Sequence, residues 1–457
     1  MALPAELGNL QLSILGLGVQ YPPYSLTPDE LGKLARTYYP DSPSMRKVIG
    51  INQMTGIEKR SSIGTAEHPL VNQPTAPSIA QLHEVFMSDG VPLAVEAARK
   101  ALAEANLGPA DITHVVSTTC TDSANPGFDH YVAKELGLSH SVEKVLLHGI
   151  GCSGGLAVLR TSANLALGHT FRRKPARVLC IALEVSTTLA RSELDSIHEL
   201  QETRIGACLF SDCASASILS NGLGGDGEDP EPVYTLLGWQ HETLPDSQDD
   251  LGFQVDPLGW KVVLTPNVPK LAMQTLASSF AKLVDNSPQL PPDYSTPADF
   301  DWAMHPGGAT ILTGAEKTMA ISSEHMRASY DVYMNHGNSS SATIFSVLDR
   351  LRQKDMDAVA PEGRVRDFIV GCAFGPGITV ETCMLKRHKS AAAPKPGDIP
   401  TPPDTDSEAG ASESGEASDW MSDGRGSPVA TTMSAVDPSS KPDETFIEEA
   451  ISAVELD

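Results

Sequence analysis

The 457-residue chain contains no run of 18 or more apolar residues, so no membrane-spanning helix is expected. Its opening stretch, MALPAELGNLQLSILGLGVQYPP, lacks a basic start, an uninterrupted apolar segment and a small-residue cleavage site, so no secretory signal is read. Basic surplus is missing too. A formal net charge of −25 argues against a nucleic-acid backbone as partner, because phosphate tracks demand clustered Lys and Arg. The seven cysteines (Cys120, Cys152, Cys180, Cys208, Cys213, Cys372 and Cys383) form no CxxC pair. Scattered this way through a long chain, they imply free thiols in a reducing compartment, the cytoplasm by default. There is no GxxxxGK[ST] phosphate loop and no GxSxG elbow. Gly16-Leu17-Gly18 follows an apolar stretch but lacks the third glycine of a dinucleotide fingerprint, and it reads as a turn. No His, Cys and carboxylate group shows metal-ligand spacing, so no metal is expected.

What is present begins with an uneven charge. From Ala391 onward the chain has 15 acids against 3 bases, so nearly half of the negative excess lies in the last 67 residues. Residues 390–457 are rich in Pro, Ser, Gly and acids and poor in apolar side chains. Such a segment cannot bury enough surface to offset its chain entropy, and it is expected to be disordered. Within it, Ile447, Ala450, Ile451 and Val454 recur at helical spacing, compatible with a short amphipathic helix. Upstream, strand and helix patterns alternate. Ile112–Thr119 and Arg177–Leu183 read as buried strands, and Ser153–Gly168 between them as a small-residue helix ending at a glycine. A second strand–helix series follows Pro230. Phe368–Cys372 and Ile378–Met384 read as strands joined by a turn at Gly375, Pro376 and Gly377. Two successive series of this kind imply a layered α/β architecture.

Three segments carry residues suited to chemistry. Gly149-Ile150-Gly151-Cys152-Ser153-Gly154-Gly155 follows the apolar strand VEKVLLH and opens the small-residue helix. A thiol at a helix amino terminus meets unpaired N–H groups and the positive end of the helix dipole, which favour thiolate. A buried structural cysteine beside a glycine turn is an equal reading of this segment alone. His305 lies in Ala303-Met304-His305-Pro306-Gly307-Gly308, and Asn338 in Asn335-His336-Gly337-Asn338-Ser339-Ser340-Ser341-Ala342. Taken singly, a lone His is more often a packing residue, and an Asn before a Ser run more often a helix cap.

Together with Ala373-Phe374-Gly375-Pro376-Gly377, these segments resemble the type III polyketide synthases, the chalcone synthase-like branch of the thiolase superfamily. Four separated motifs match in order over roughly residues 10 to 388, and Ala373 replaces the first glycine of the closing loop. The resemblance implies a thiolase-like five-layer αβαβα sandwich of two duplicated halves. Residues 1–225 would carry the nucleophile, residues 226–389 the His and Asn, and 390–457 the acidic tail. It also implies a homodimer, substrates delivered as coenzyme A thioesters, and no cofactor. By the same matching, Cys152, His305 and Asn338 form the catalytic triad. Phe210, in Gly206-Ala207-Cys208-Leu209-Phe210-Ser211-Asp212, becomes the gatekeeper between tunnel and cavity. Matched positions lining the substrate cavity are Cys120, Thr121, Asn125, Ser186, Leu189, Gly206, Val262 and Phe374, with Val262 in place of a second aromatic gatekeeper. Matched positions along the coenzyme A arm are Lys47, Leu264, Gly307, Gly308 and Thr310.

Smaller residues at the mouth suggest an aliphatic starter rather than a planar aromatic one. The pattern is most similar to the fungal 2′-oxoalkylresorcylic acid synthases. That implies a long-chain fatty acyl-coenzyme A starter, several malonyl-coenzyme A extensions, and cyclisation to alkylresorcylic acids, alkylresorcinols or alkylpyrones. A ketoacyl synthase III-like enzyme performing one condensation uses the same three residue types, and a non-catalytic acyl-coenzyme A-binding scaffold could keep the fold. In the favoured reading the His305 imidazole takes the Cys152 proton to give a thiolate–imidazolium pair, and His305 and Asn338 donate to the developing enolate oxygen.

Overall fold

A computed structural model describes residues 10–224, 230–256 and 259–388. The expected disorder of 390–457 and the helix at 447–454 lie outside those residues.

The first series of elements runs β1 (Leu12–Gln20), α1 (Pro28–Tyr38), α2 (Pro43–Met54), α3 (Val91–Glu104), β2 (His114–Thr118), α4 (Phe128–Glu135), β3 (Glu143–Leu147), α5 (Gly154–Phe171), β4 (Arg177–Glu184) and β5 (Cys213–Ser220). The second runs β6 (Tyr234–Thr243), β7 (Leu251–Asp256), β8 (Gly259–Leu264), α6 (Val268–Asp285), β9 (Asp301–Met304), α7 (Ala309–Met319), α8 (Arg327–His336), α9 (Thr343–Leu351), β10 (Phe368–Gly375) and β11 (Thr379–Arg387). Short elements not needed below are left unlabelled.

Among the described residues, nine strands form one mixed sheet in the order β9-β10-β11-β6-β1-β5-β4-β2-β3. The order is itself a duplication. The first series gives β1-β5-β4-β2-β3 and the second β6-β11-β10-β9, the same winding with one strand fewer. The two meet at β1 and β6 through only three residue pairs, Leu12–Leu236, Ser13–Thr235 and Ile14–Tyr234. On either side of that seam the sheet faces are packed into three apolar layers. An outer layer joins α3 and α4 to the first half-sheet through Ala94, Ala98, Ala101, Phe128 and Val132. A central layer joins α5 and α9 through Leu156, Leu159, Ala163, Ile344, Val347 and Leu348. The opposite outer layer joins α6 and α7 to the second half-sheet through Leu276, Phe280, Trp302 and Leu312. Helix, sheet, helix, sheet, helix is thus the order through the molecule, the thiolase-like α/β arrangement.

Three sequence expectations change in detail. Gly16-Leu17-Gly18 is not a turn but the middle of β1. A Cβ at Gly16 would lie 2.2 Å from the Ala101 carbonyl oxygen, and one at Gly18 2.0 Å from that of Ala97. The glycines therefore let α3 lie directly on the strand. Helix α5 does not stop at Gly168 but continues to Phe171, since an interior glycine costs only about 1 kcal/mol relative to alanine. The terminal strands also run further than their most apolar cores suggest, β10 through Gly375 and β11 to Arg387.

One buried polar knot fixes the strand that leads to His305. Asp301, fully buried in β9, accepts from Arg327 at 2.8 Å on each oxygen and from Arg387 at 2.7 Å. Removing this carboxylate would leave the buried Arg327 guanidinium without its charge partner, a loss of about 3–5 kcal/mol.

Candidate active site

Cys152 stands in a single 3-10 turn, Gly151–Ser153, that feeds the first residue of α5. The turn is shaped by the closing loop of the chain. Gly151 has φ of 56°, and a Cβ there would sit 2.7 Å from Pro376 Cδ. A Cβ at Gly375 would meet Ser153 Oγ at 2.2 Å and the Ile150 carbonyl at 2.5 Å. The Phe-Gly-Pro-Gly segment and the Cys152 turn are two halves of one close contact, and their glycines are explained together. Cys152 Sγ lies 3.5 Å from Ser340 Oγ, in the matching 3-10 turn Ser340–Ala342 that precedes α9. The two turns, one from each series, face each other across the central layer.

Asn338 is buried and its side chain is oriented at both ends. Oδ1 accepts from the Ser340 backbone N–H at 2.8 Å, and Nδ2 donates to the Gly307 carbonyl at 3.2 Å. The amide orientation is therefore set by its surroundings. His305 directly follows β9, and its own N–H donates to the Cys372 carbonyl at 2.7 Å. The imidazole is 1 % exposed, and neither Nδ1 nor Nε2 has a hydrogen-bond partner. Two orphaned ring nitrogens at this depth are costly unless a ligand completes them.

The electrostatics differ from the expected thiolate–imidazolium pair. Burial pushes the Cys152 thiol up to about 11, although hydrogen bonds from Ser340 and Asn338 act in the opposite sense. Burial lowers His305 to about 3. The resting pair is a neutral thiol and a neutral imidazole, because the site desolvates both charged forms more than it stabilises them. Proton transfer then accompanies attack on substrate rather than preceding it.

A pH-dependent stability follows. Below pH ~6.5 the unfolded chain protonates this histidine while the folded chain does not until about pH 3, so His305 erodes stability as pH falls through that window. Between pH 7 and pH 5 the loss is about 2 kcal/mol. Urea melts of wild type and His305→Gln at the two pH values should differ by that amount. Equal pH slopes would contradict the buried neutral imidazole.

A cavity lies beside Phe210, and Cys152, His305 and Asn338 are not among its lining residues. Phe210, Ser186, Leu189, Gly206 and Val262 all line it, with Arg60, Ile63 and Ala207. Its Phe210 wall is tied to Asn338 through the backbone, because Phe210 and Asn338 form a β-bridge and the Ser211 N–H donates to the Asn338 carbonyl at 2.9 Å. Cys120 and Thr121, expected along the cavity, do not line it; Cys120 Sγ instead lies 3.4 Å from Ser340 Oγ, so the two thiols flank one hydroxyl. Thr121 is buried behind it, donating to Glu184 at 3.0 Å.

Other expected positions are not gathered here. Asn125 is exposed and does not line the cavity, since it sits on the outer arc of the loop before α4. Phe374 is buried in the apolar layer of β10 and does not line the cavity either. Among the coenzyme A positions, Gly307 touches Asn338, while Gly308 and Thr310 open α7. Leu264 ends β8 and Lys47 lies half-buried on α2.

Four residues of this region escaped sequence reading. Phe253 pairs with Val262 across the β7–β8 hairpin and meets the Phe210 ring edge-on at 5.9 Å. The second aromatic beside Phe210 thus comes from the strand opposite Val262, which the alternation of LGFQVD against GWKVVL could have indicated. Ser340 bridges the two thiols. Glu184, fully buried, accepts from the Cys120 N–H at 3.1 Å and from Ser341 Oγ, and burial raises its pKa. Asp212 accepts from the N–H groups of Ile63 at 2.9 Å, Ser186 at 2.7 Å and Thr187 at 2.8 Å, which clamps the cavity wall.

Comparison with known proteins adds the following. The chalcone and stilbene synthase N-terminal domain matches residues 34–223, and the C-terminal domain of the same family matches residues 236–388. The solved type III pentaketide synthase from Neurospora crassa is 69 % identical, with a TM-score of 0.82 over 83 % of this chain and 100 % of that one. The crystal structure of the fungal type III polyketide synthase ORAS gives the same identity, coverage and TM-score. Acylalkylpyrone synthase csyB of Aspergillus oryzae is 36 % identical over 393 residues, covering 85 % of this chain and 98 % of that protein.

Proposed function

The chain belongs to the chalcone and stilbene synthase family and is a type III polyketide synthase, and on that premise we propose that Cys152 accepts a long-chain fatty acyl group from coenzyme A. The acyl chain is then extended by repeated decarboxylative condensation with malonyl-coenzyme A. Cyclisation gives alkylresorcylic acids, alkylresorcinols or alkylpyrones. The enzyme acts as a cytoplasmic homodimer built from halves 1–225 and 226–389. Among the described residues no helix is long and apolar enough to cross a membrane.

The observation that carries the reading is the pair of orphaned His305 nitrogens, two residues from the Gly307 carbonyl that the oriented Asn338 amide meets, with Cys152 on the turn that faces Ser340. In the loading step His305 takes the thiol proton as sulfur attacks the thioester carbonyl, and returns it to the departing coenzyme A sulfur. Malonyl-coenzyme A then loses carbon dioxide. Its enolate oxygen receives N–H donation from His305 and from Asn338 Nδ2, and its carbon attacks the acyl-Cys152 thioester. The C–S bond breaks with Cys152 leaving as thiolate, which takes up a solvent proton to regenerate the thiol, and the chain leaves two carbons longer on coenzyme A for the next round.

Support for an aliphatic starter comes from the lining of the cavity, where Leu189, Val262, Ile63 and Gly206 offer apolar surface and little bulk. Incubation with malonyl-coenzyme A and either stearoyl- or p-coumaroyl-coenzyme A should give product preferentially from stearoyl. A preference for the aromatic starter would overturn the proposal. The cavity also predicts a size switch. Gly206 is already tight, since even a Cβ there would lie 2.9 Å from Val262 Cγ2. Val262→Phe should therefore lower the stearoyl-to-hexanoyl ratio of kcat/KM by on the order of 10- to 100-fold. An unchanged ratio would place the acyl chain elsewhere.

A further inference from the structure

At the far end of α5 from Cys152, three residues distant in sequence converge. His114 opens β2, Glu143 opens β3 as its register partner, and His169 lies in the last turn of α5. One nitrogen of each imidazole and one Glu143 oxygen lie within 4.8 Å of one another, and His114 Nε2 is 3.8 Å from Glu143 Oε2. The two rings meet edge to face at 4.5 Å.

The hydrogen bonds fix which nitrogens are free to ligate. The Thr113 hydroxyl, which accepts from the Arg177 N–H at 2.9 Å, lies 2.7 Å from His114 Nδ1 and engages that nitrogen. His114 Nε2 is left as the nitrogen facing Glu143. That atom is buried with no hydrogen-bond partner, on a side chain 2 % exposed. His169 Nδ1 donates to the Pro175 carbonyl at 3.2 Å, which leaves Nε2 as its nitrogen for a ligand. An orphaned donor set of this kind is completed by a cation, and each ring's other nitrogen already has the oxygen partner that ligating histidines use to fix their orientation.

We propose that His114, His169 and Glu143 bind a divalent zinc-type cation, with a fourth position left for water. Two imidazoles and one carboxylate suit zinc, whereas calcium and magnesium require oxygen donors throughout. Ligands at ~2.0–2.2 Å from a tetrahedral ion lie closer together than 4.8 Å, and the Glu143 side chain, 70 % exposed, is free to close that gap. The ion links the edge strand β3 and its neighbour β2 to the carboxyl end of α5, about 25 Å from the Cys152 turn at the rise of an α-helix. Its effect is on stability, and it takes no part in the condensation chemistry.

The test uses the full chain freed of metal with EDTA, titrated calorimetrically with zinc chloride, alongside His169→Asn and Glu143→Gln. Wild type should bind one more zinc per chain than either variant. At a hundredfold excess over Kd its Tm should rise by about 3 °C, a rise absent from the variants. Cobalt(II) separates this site from the active-site thiols, because His and carboxylate ligation adds no sulfur-to-metal charge-transfer band. Glu143 is exposed, so Glu143→Gln keeps the test open if His169→Asn fails to fold. Equal stoichiometry and equal Tm shift in wild type and Glu143→Gln would overturn the proposal, as would cobalt binding seen only through a thiolate band.

Discussion

Replacing Cys152 by alanine is expected to abolish polyketide formation, by on the order of 10⁴-fold or more, because no other group stands where the acyl chain would be held. Cys120 is the nearest rival, 3.4 Å from the same Ser340 hydroxyl. Its thiol, however, is raised well above the ordinary range by burial and then by the Glu184 carboxylate 3.3 Å away. A thiol facing a carboxylate is the poorer nucleophile, so Cys120 should not rescue the variant. Mass spectrometry of wild type with stearoyl-coenzyme A alone should show one acyl adduct on Cys152 and none in Cys152→Ala. Conversion of malonyl- to acetyl-coenzyme A needs only donors to the enolate oxygen, and should persist in Cys152→Ala. An acyl adduct on Cys120 in the variant, with product still made, would move the nucleophile to that residue. Loss of decarboxylation together with condensation would mean that the thiol also positions malonyl-coenzyme A.

How far the sequence could reach is clearest at the central layer. The strand at Arg177–Glu184 and the helix after Cys152 were legible because β-branched runs and small-residue stretches keep their character whatever packs on them. The juxtaposition of the Cys152 turn with Ser340 was not, because it depends on two helices from different halves crossing in that layer. Glu184 was invisible for a related reason. Read locally, it is a polar strand end, and only the fold brings Cys120 and Ser341 to its carboxylate. Asn125 shows the converse, a position that matches a pocket residue in sequence and yet is exposed in this chain. The charge state of the triad was out of reach as well. A helix amino terminus argues for thiolate, but burial outweighs it here, and burial is a property of the tertiary structure.

Asn338→Asp should leave Cys152 in place and lower malonyl-coenzyme A decarboxylation by about 10²- to 10³-fold, the usual effect of losing one oxyanion donor. The substitution changes one atom, and its surroundings decide the consequence. Oδ1 can keep its bond from the Ser340 N–H, so the side chain should hold its orientation. The other end then turns an oxygen toward the Gly307 carbonyl, where Nδ2 now donates at 3.2 Å. Two acceptors at that distance repel, and an anion at this depth is desolvated. The carboxyl is therefore driven up in pKa and relieves the clash by holding a proton. As a neutral acid it donates to Gly307 and offers nothing to an enolate. Raising the pH cannot restore the rate, since ionisation removes the donor altogether, so the loss should persist from pH 6 to 9. Acyl loading on Cys152, followed by adduct mass, should survive better than decarboxylation, because His305 still moves the proton and the thioester is already activated. Wild-type decarboxylation by Asn338→Asp would remove Asn338 from the enolate site and leave it as the brace between Gly307 and the Ser340 turn.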